Sequence, residues 1–281
     1  MMILTEQLLD RYCKEGFLFF PEYLSPAEID PLRAELPVVF AEDTPRRVLE
    51  EGGQVVRSVY ASHLTNQVFR KLSEDPRLVG PAVELLGSEV YIHQFKINAK
   101  AAFGGDKWEW HQDYVFWRKE DEMPTARIAN VIIFLDEVNE FNGPLLLIPG
   151  SHQEDVIDVN GRSDIPAAYL DSPAWITNLT AQLKYALPRE AVTRLVKQYG
   201  IVAPKGPGGS VLIFHGNLVH GSVQNISPFE RTLVCVTYNS IHNTLPVREK
   251  MRPQFLANRD YTPIKLRRDV HQALGQEREC T

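Results

Sequence analysis

A chain of 281 residues with 44% apolar and 23% charged residues has the composition of an ordinary globular protein. The net charge of −6 provides no basic surface for nucleic acid or for an acidic membrane. No apolar run approaches the length of about 18 residues that a membrane-spanning helix needs, and the N-terminal residues lack the apolar core of a signal peptide. We therefore expect a cytoplasmic protein with neither nucleic-acid nor membrane partners.

The first ninety residues alternate between helical and extended patterns. Thr5 and Gly16 bracket a short amphipathic helix as its cap and its terminator, and Ser25-Pro26 begins a second helix that should end near Leu36. The segment from Ala41 to Gly53 is polar and predicts a loop. The remaining predicted elements of this part are strands at 17–20 and 54–60 and helices at 66–72 and 77–86.

The segment from Glu89 to Lys100 alternates with the period of a β-strand. Val90, Ile92, Gln94, Lys96 and Asn98 share one face, and Tyr91, His93, Phe95 and Ile97 share the other. The polar part of the first face could point to solvent or into a polar barrel lumen. Periodicity alone leaves both interpretations open.

The second half of the chain predicts short strands separated by Gly- and Pro-rich turns. Between them, residues 153 to about 200 form a partly helical insertion, with helices expected at 180–185 and 189–199, and such insertions often act as lids. From Thr244 the tail is poorly specified. The predicted strands lie at 130–136, 145–148, 210–214 and 231–239. This order predicts a single, mainly β domain over residues 1–281: a barrel or jelly roll with flanking α-helices.

Among the aromatic residues 108–117, His111 and Asp113 are the first candidates for metal ligands. If this stretch is a strand, positions i and i+2 point to the same face, so both side chains can reach one ion. Two histidines and one carboxylate form the facial triad of non-haem Fe(II) oxygenases. A solvated pair at the end of a strand remains the alternative, because a lone His-x-Asp is common.

His220 is the preferred third ligand, ahead of His215, because Arg231 follows it and opens the next predicted strand. A hairpin would return Arg231 beside His220, where a guanidinium suits the distal carboxylate of 2-oxoglutarate. Ser222 could add a hydroxyl donor. His215 is more easily explained as a core histidine.

Together these residues resemble the phytanoyl-CoA dioxygenase superfamily. The shared motifs are His111-x-Asp113, Asn142-Gly143-Pro144, Pro149-Gly150-Ser151-His152 and His220-Gly221-Ser222 with Arg231 eleven residues on. The resemblance covers about residues 5 to 240. It implies a double-stranded β-helix, the jelly-roll or cupin-like fold, and Fe(II), 2-oxoglutarate and O2 as cofactor and co-substrates, with ascorbate helpful in vitro.

Within this superfamily the chain is similar to ectoine hydroxylases and, more extensively, to free-standing leucine 5-hydroxylases of nonribosomal peptide pathways. The segments that carry the second similarity include 60–63, 91–98, 103–106, 110–113 and 140–144. The resemblance implies hydroxylation of an unactivated C–H bond in a free aliphatic L-amino acid, most simply leucine at C5, for a peptide natural product. Asp113 itself favours hydroxylation, since related halogenases have Gly or Ala at that position.

The resemblance also assigns the remaining residues. It places Asn98 and Gln94 at 2-oxoglutarate and Trp117 and Lys96 at the substrate, with Trp117 on the ligand face if the strand continues. Cys235 has the same strand parity as Arg231 and is expected to line the pocket. His152 is expected to be structural, and His63 and His93 are expected in the core, with His63 able to border the substrate.

Two alternatives remain at this stage. The same chemistry could act on another amino acid, on ectoine or on a tailoring scaffold. From a different class, the barrel could bind a small acid or a structural metal without catalysis, which retained ligand binding without 2-oxoglutarate turnover would reveal. The sequence does not specify the oligomeric state.

Overall fold

A computed structural model describes residues 4–162, 169 and 172–265. The strands form two sheets. In chain order they are β1 Phe17–Phe20, β2 Arg47–Leu49, β3 Val56–Tyr60, β4 Val90–Lys100, β5 Trp108–His111, β6 Ile128–Phe134, β7 Leu145–Leu147, β8 Val211–His215, β9 His220–Ser222 and β10 Arg231–Ser240. The helices are α1 Glu6–Glu15, α2 Pro26–Ala41, α3 Ser62–Thr65, α4 Gln67–Ser73, α5 Pro76–Leu86, α6 Asp113–Asp121 and α7 Arg189–Tyr199, with 3-10 turns at Ser151–Glu154 and Ala174–Asn178.

The larger sheet has seven strands in the order β1-β8-β6-β10-β4-β3-β2, and the smaller has three in the order β5-β9-β7. Alternate residues of the large sheet pack on opposite sides of it. Leu233 and Cys235 of β10 belong to an apolar cluster that also contains Leu147 of the small sheet, so this face lies towards the interior between the sheets. Val234 and Val236 pack with residues of α2, α4 and α5. The predicted jelly roll with flanking helices is confirmed.

The prediction that alternate residues of β4 share one face of the sheet is correct only for the second half of the strand. Thr237 of β10 pairs with Gln94, whereas the next residue, Tyr238, pairs with Ile92, so His93 is an extra residue in β4. Such a bulge turns the side chains of the preceding residues to the opposite face of the sheet. Ile92 therefore packs with Phe95 in the core beneath the helices. Gln94, Lys96 and Asn98 point inward, and for these three residues the lumen interpretation is correct.

Two N-terminal boundaries differ from the prediction. Helix α2 continues past Leu36 to Ala41, because Val39 is buried on the same helix as Ile29 and Leu32. The predicted loop at 41–53 contains β2, which pairs with β3 through Val48 and Ser58. Both differences come from tertiary contacts that local sequence patterns do not encode.

In the insertion at 153–200, α7 confirms one predicted helix, but the helix predicted at 180–185 is absent. Its backbone groups are bonded elsewhere: Arg57 donates to the carbonyls of Leu179 and Thr180 at 2.8 and 3.2 Å. Leu183 N–H donates to the Glu109 carboxylate at 3.1 Å. Residues 163–168, 170 and 171 of the insertion lie outside the described residues.

Among the described helices, none has the length and apolarity needed to cross a bilayer.

Burial of His93 predicts acid sensitivity of the fold. The His93 ring is fully buried edge-on against Trp117, with centroids 5.2 Å apart, and burial lowers its pKa from 6.5 to about 3. Between these two values the unfolded chain binds one more proton than the native protein at this site. As the pH is lowered through this range, the free energy of unfolding should therefore decrease by up to about 1.4 kcal/mol per pH unit from this histidine alone.

His93→Phe should make that fall shallower between pH 6.5 and 5, as measured by urea unfolding at a series of pH values. The exposed His242→Gln serves as the control and should retain the wild-type slope. An unchanged slope in His93→Phe would contradict the assignment.

Candidate active site

Strand pairing in the small sheet brings two histidines together. His111 at the end of β5 lies directly opposite His220 at the start of β9, and their ring centroids are 4.2 Å apart. Asp113 completes the group: one potential ligand atom from each of the three residues lies within 4.8 Å of the others. All three side chains are buried. Two imidazoles and one carboxylate are a donor set suited to Fe(II), with room for further ligands.

Asp113 reaches this position from a helix and not from a continuing strand. Strand β5 ends at His111, Gln112 turns the chain, and Asp113 is the first residue of α6. The prediction that His111 and Asp113 lie on the same face of one strand is therefore wrong, although their side chains do come together. Its extension to Trp117 by strand parity is wrong as well. Trp117 shares the Asp113 face because residues four apart lie on one side of a helix.

Hydrogen bonds to the backbone determine which nitrogen of each histidine is available to a metal. His111 Nδ1 lies 2.6 Å from the Glu109 carbonyl oxygen, and His220 Nδ1 lies 3.0 Å from that of Leu218. Since a carbonyl only accepts, each Nδ1 carries the proton and each Nε2 keeps its lone pair. The two Nε2 atoms lie 3.6 and 3.8 Å from the Asp113 carboxylate oxygens. Burial, together with nearby His111, lowers the pKa of His220 to about 3, so it is neutral at physiological pH.

Asp113 is held as a carboxylate in a defined orientation. Burial alone would raise its pKa, but Lys96, 4.0 Å away, and His220 hold the pKa well below its usual range. Asn130 Nδ2 donates to Asp113 Oδ2 at 3.0 Å, and the Thr237 hydroxyl donates to Asn130 Oδ1 at 2.7 Å. This chain of hydrogen bonds fixes the rotamer, with Oδ1 on the side of His111 and Oδ2 on the side of His220.

A first cavity opens on one side of the triad, towards Arg231. Its lining includes Asn98, Ile132, Leu145, Leu233 and Cys235. Arg231 does not return by a hairpin to His220, as the sequence suggested. It begins β10 in the large sheet, while β9 belongs to the small one. The chain crosses from one sheet to the other, and the two side chains approach the cavity from opposite layers.

Arg231 is fully buried and forms no ion pair with any of the described residues. Its Nε and Nη2 atoms have no hydrogen-bond partner among the described residues, and burial lowers its pKa to about 10, which still leaves it charged. A buried, unpaired guanidinium is costly, so the arrangement favours a carboxylate ligand. Asn98 Oδ1 in the same cavity is likewise without a partner.

Four other predicted pocket residues occupy different positions around the triad. Cys235, expected near the substrate, lines the Arg231 cavity, and Lys96 borders the cavities on both sides. Gln94, expected at 2-oxoglutarate, lines the second cavity and donates through Nε2 to the Leu256 carbonyl at 2.6 Å. Ser222 is buried with an unpartnered hydroxyl, but it lines an outer groove and not the Arg231 cavity. Its predicted role at 2-oxoglutarate stays a prediction.

A second cavity borders the triad at His111 and Asp113. Trp117 lines it as predicted, together with Phe116, one residue earlier on α6. The rest of its lining beyond the shared triad residues consists of Tyr60, Gln94, Lys96, Trp108, Asn178, Leu179, Leu183 and Arg252. This mixed lining provides apolar surface together with a few polar groups, as is typical of a small-molecule site.

Three groups of residues that line the cavities were not predicted from the sequence. Arg252 comes from the tail after Thr244, and Asn178 and Leu183 come from the insertion. Trp108 borders both cavities, and the Arg57 guanidinium lies over its ring at 3.7 Å from the centroid. Arg252 offered no signal, because it is one of several arginines in a polar tail. Trp108 lies in the aromatic stretch around His111, but the sequence assigned it no role, and Asn178 and Leu183 were distinguished only by their place in the predicted lid.

The remaining buried histidines are not ligands in this group. His152 Nε2 lies 3.0 Å from the Cys13 carbonyl, which agrees with a structural role, and its ring lies 5.3 Å from that of His215. His215 Nδ1 accepts from the Asn217 N–H at 3.1 Å. His63 packs on Phe95 and lines neither cavity, so it does not border this space.

Comparison with known proteins agrees with this geometry. L-proline trans-4-hydroxylase from Streptomyces griseoviridis is 37% identical over 94% of this chain and 97% of its own. Ectoine dioxygenase from Halomonas elongata is 36% identical over 91% and 76% of the two chains. The crystal structure of EctD from S. alaskensis with 2-oxoglutarate and 5-hydroxyectoine matches with a TM-score of 0.77 at 32% identity, covering 91% of this chain and 84% of that chain.

The family profile of phytanoyl-CoA dioxygenase (PhyH) matches residues 12–233, which contain all three residues of the triad and Arg231. On this match and on the similarity to the two hydroxylases, the chain belongs to the phytanoyl-CoA dioxygenase family.

Proposed function

We propose that this protein is an Fe(II)- and 2-oxoglutarate-dependent hydroxylase of a free amino acid. The observation that carries the proposal is the position of the triad between two cavities. One contains an unpaired buried arginine, and the other combines apolar with polar groups. An oxygenase of this type needs one compartment for the dicarboxylate co-substrate and another for the molecule to be oxidised.

The triad fits iron on the chemistry of its donors. Two neutral Nε2 atoms and one carboxylate oxygen would bind Fe(II) on one face and leave the other positions open. Bound iron would supply O2 activation coupled to conversion of 2-oxoglutarate to succinate and CO2. The chain's own contribution is to orient these donors, through the carbonyls of Glu109 and Leu218 and the Asn130 amide, and to exclude water.

In the first cavity, Arg231 would bind the distal carboxylate of 2-oxoglutarate, and Asn98, on the neighbouring strand β4, would be a second polar contact for it. The donors of Arg231 that lack partners would then be satisfied. Binding of the dicarboxylate would therefore remove the cost of a buried cation while it positions the keto acid at the metal.

For the substrate we propose an aliphatic L-amino acid, with leucine hydroxylated at C5 as the first candidate and a peptide natural product as its destination. The support is the resemblance of the sequence to leucine 5-hydroxylases and the apolar lining formed by Phe116, Leu179 and Leu183. The similarity to proline and ectoine hydroxylases makes another small amino acid or ectoine the second candidate.

We further propose that residues 1–281 act as one dioxygenase domain in the cytoplasm, with the insertion at 153–200 serving as a lid. Asn178, Leu179 and Leu183 of this insertion line the second cavity. Arg57 and Glu109 bind its backbone in the closed arrangement. Release of these few hydrogen bonds would open the cavity.

Loss of the carboxylate ligand should abolish the reaction. Asp113→Ala should show no substrate-dependent succinate formation and a weakened affinity for Fe(II), because the metal loses its only anionic protein ligand. Succinate can be quantified by chromatography and Fe(II) binding by anaerobic titration. Asp158→Ala, at a site whose side chain is 83% exposed, is the control and should behave as wild type. Wild-type hydroxylation by Asp113→Ala would refute the triad.

Arg231→Lys should raise the KM for 2-oxoglutarate by about 10- to 100-fold while Fe(II) affinity stays unchanged. A lysine keeps the charge but loses the planar pair of donors that matches a carboxylate, a difference of about 1.5–3 kcal/mol. Initial rates at varied 2-oxoglutarate measure the effect. Arg11→Lys, at an exposed ion pair with Glu15, is the control. An unchanged KM in Arg231→Lys would place the co-substrate elsewhere.

The substrate proposal is tested by incubating the protein with Fe(II), ascorbate, 2-oxoglutarate and each of the twenty amino acids, with ectoine alongside. We expect a product heavier by one oxygen atom from leucine, detected by mass spectrometry. Hydroxylated proline or ectoine without hydroxylated leucine would assign the second candidate. No 2-oxoglutarate turnover with any of them, despite tight binding of a small acid, would favour a non-catalytic barrel.

A further inference from the structure

Arg57 on β3 is fully buried, lines neither cavity and has no part in the chemistry proposed above. All three of its guanidinium nitrogens donate hydrogen bonds. Nε donates to the Leu179 carbonyl at 2.8 Å, and Nη2 donates to the carbonyls of Thr180 at 3.2 Å and Lys107 at 2.9 Å. Nη1 donates to the Glu50 carboxylate at 3.0 Å. One cation therefore connects β3, the turn after β2, the residues before β5 and the insertion.

The same guanidinium holds an aromatic ring that both cavities share. The central carbon of the Arg57 guanidinium lies over the Trp108 ring, 3.7 Å from its centroid. Trp108 begins β5 and lines both the first and the second cavity. A guanidinium in this position attracts the ring and restricts its rotation. The orientation of a residue common to both cavities thus depends on a residue that lies outside them.

The insertion approaches the second cavity at the point where Arg57 binds it. Leu179, whose carbonyl accepts from Arg57, lines that cavity, as does Leu183. The Leu183 N–H donates at 3.1 Å to the carboxylate of Glu109, which follows Trp108 in β5. Arg57 and β5 therefore fix this part of the insertion and the Trp108 ring relative to each other.

The stability of the fold does not by itself account for Arg57. Its ion pair with Glu50 already balances the buried charge. A buried ion pair often contributes no more to stability than apolar side chains of similar volume. The remaining donors of Arg57 are directed at the residue before β5 and at the insertion, two segments that line the second cavity. The arrangement is therefore best explained by what the guanidinium positions.

We propose that Arg57 is a positioning residue that fixes Trp108 and Leu179 in one arrangement, so that the substrate in the second cavity is aligned while 2-oxoglutarate is consumed in the first. This inference rests on the proposed function and adds the residue that couples the two halves of the reaction. In a coupled turnover one oxygen atom of O2 enters succinate and the other enters the product. A substrate displaced by about 1 Å can react about 100-fold more slowly. Succinate then forms without a matching product, with ascorbate supplying the two electrons that the substrate does not.

The test measures succinate and hydroxylated product in the same reaction, with leucine as the substrate or, if wild type hydroxylates only these, with proline or ectoine. Wild type should form close to one succinate for each molecule of product. In Arg57→Gln this ratio should rise by about 3- to 10-fold, because part of the turnover proceeds on a misaligned substrate. Fe(II) affinity, measured by anaerobic titration, should stay unchanged, since none of the hydrogen bonds of Arg57 reaches the triad.

A second measurement needs neither iron nor substrate. Hydrogen–deuterium exchange of the iron-free protein should be faster in Arg57→Gln at both segments that this arginine joins, residues 105–111 and residues 178–187. The N–H groups of Asp106 and Leu187, which are hydrogen-bonded in the folded protein, report on the two segments. Both segments should respond together because they share one donor.

Arg47→Gln is the matched control. Arg47 lies on the neighbouring strand β2 and pairs with Asp43. It also donates to two backbone carbonyls, those of Phe40 and Ala41. Among the described residues it makes no hydrogen bond to β5 or to the insertion. Arg47→Gln should therefore keep both the wild-type ratio of succinate to product and the wild-type exchange at the two segments.

Arg57→Lys serves if Arg57→Gln leaves Glu50 unpaired and fails to fold. The lysine keeps a positive charge beside Glu50, but a single ammonium group cannot reach Glu50, the Lys107 carbonyl and the insertion at once. The ratio of succinate to product should therefore still rise, and both segments should still exchange faster than in wild type.

The outcomes separate the two proposals. A ratio that stays close to one in the Arg57 variants, or faster exchange at only one of the two segments, overturns the positioning role and leaves the hydroxylase intact. A wild type that hydroxylates neither an amino acid nor ectoine overturns the proposed function, and the role of Arg57 in catalysis falls with it. A raised ratio with faster exchange at both segments, and neither change in Arg47→Gln, supports the inference.

Discussion

The site depends on one register in the small sheet, the pairing of His111 with His220. A shift of this pairing by a single residue would turn one imidazole to the opposite face of the sheet. Each histidine is also bonded through Nδ1 to the carbonyl two residues before it, so the same local geometry is used twice. Strand pairing sets the positions of the two rings, the backbone sets their tautomers, and Asp113 at the start of α6 supplies the charge.

Of the buried charged groups around this centre, some form ion pairs within the chain and one does not. Asp113 is balanced by Lys96, and Arg252 by Asp121, but Arg231 has no anion of its own among the described residues. Burying such charged groups costs free energy, and in return the fold holds their hydrogen-bond donors rigid and oriented. The two arginines therefore differ: Arg231 lines the first cavity without an ion pair among the described residues, whereas Arg252 lines the second cavity already paired with Asp121.

The residues of the site were predicted from the sequence more accurately than the secondary-structure elements that position them. His111, Asp113, His220 and Arg231 were found from residue types and spacing, and they meet as expected, since ligand chemistry restricts residue type strongly. The hairpin to Arg231 and the strand to Trp117 were wrong, because the crossing between sheets and the start of α6 depend on long-range packing. Arg252 was not found as a cavity residue, because nothing in its local sequence distinguishes it from the solvated arginines of the tail.

Helix α6 joins a metal ligand at its first residue to the partner of Arg252 at its last. Eight residues at about 1.5 Å each place these two points about 12 Å apart along a rigid axis. The separation between Asp113 and the Asp121–Arg252 ion pair is therefore set by the length of the helix backbone and not by side-chain conformation. Because Asp113 and Arg252 both line the second cavity, lengthening α6 by one turn would move them about 5.4 Å further apart and would change the depth of that cavity.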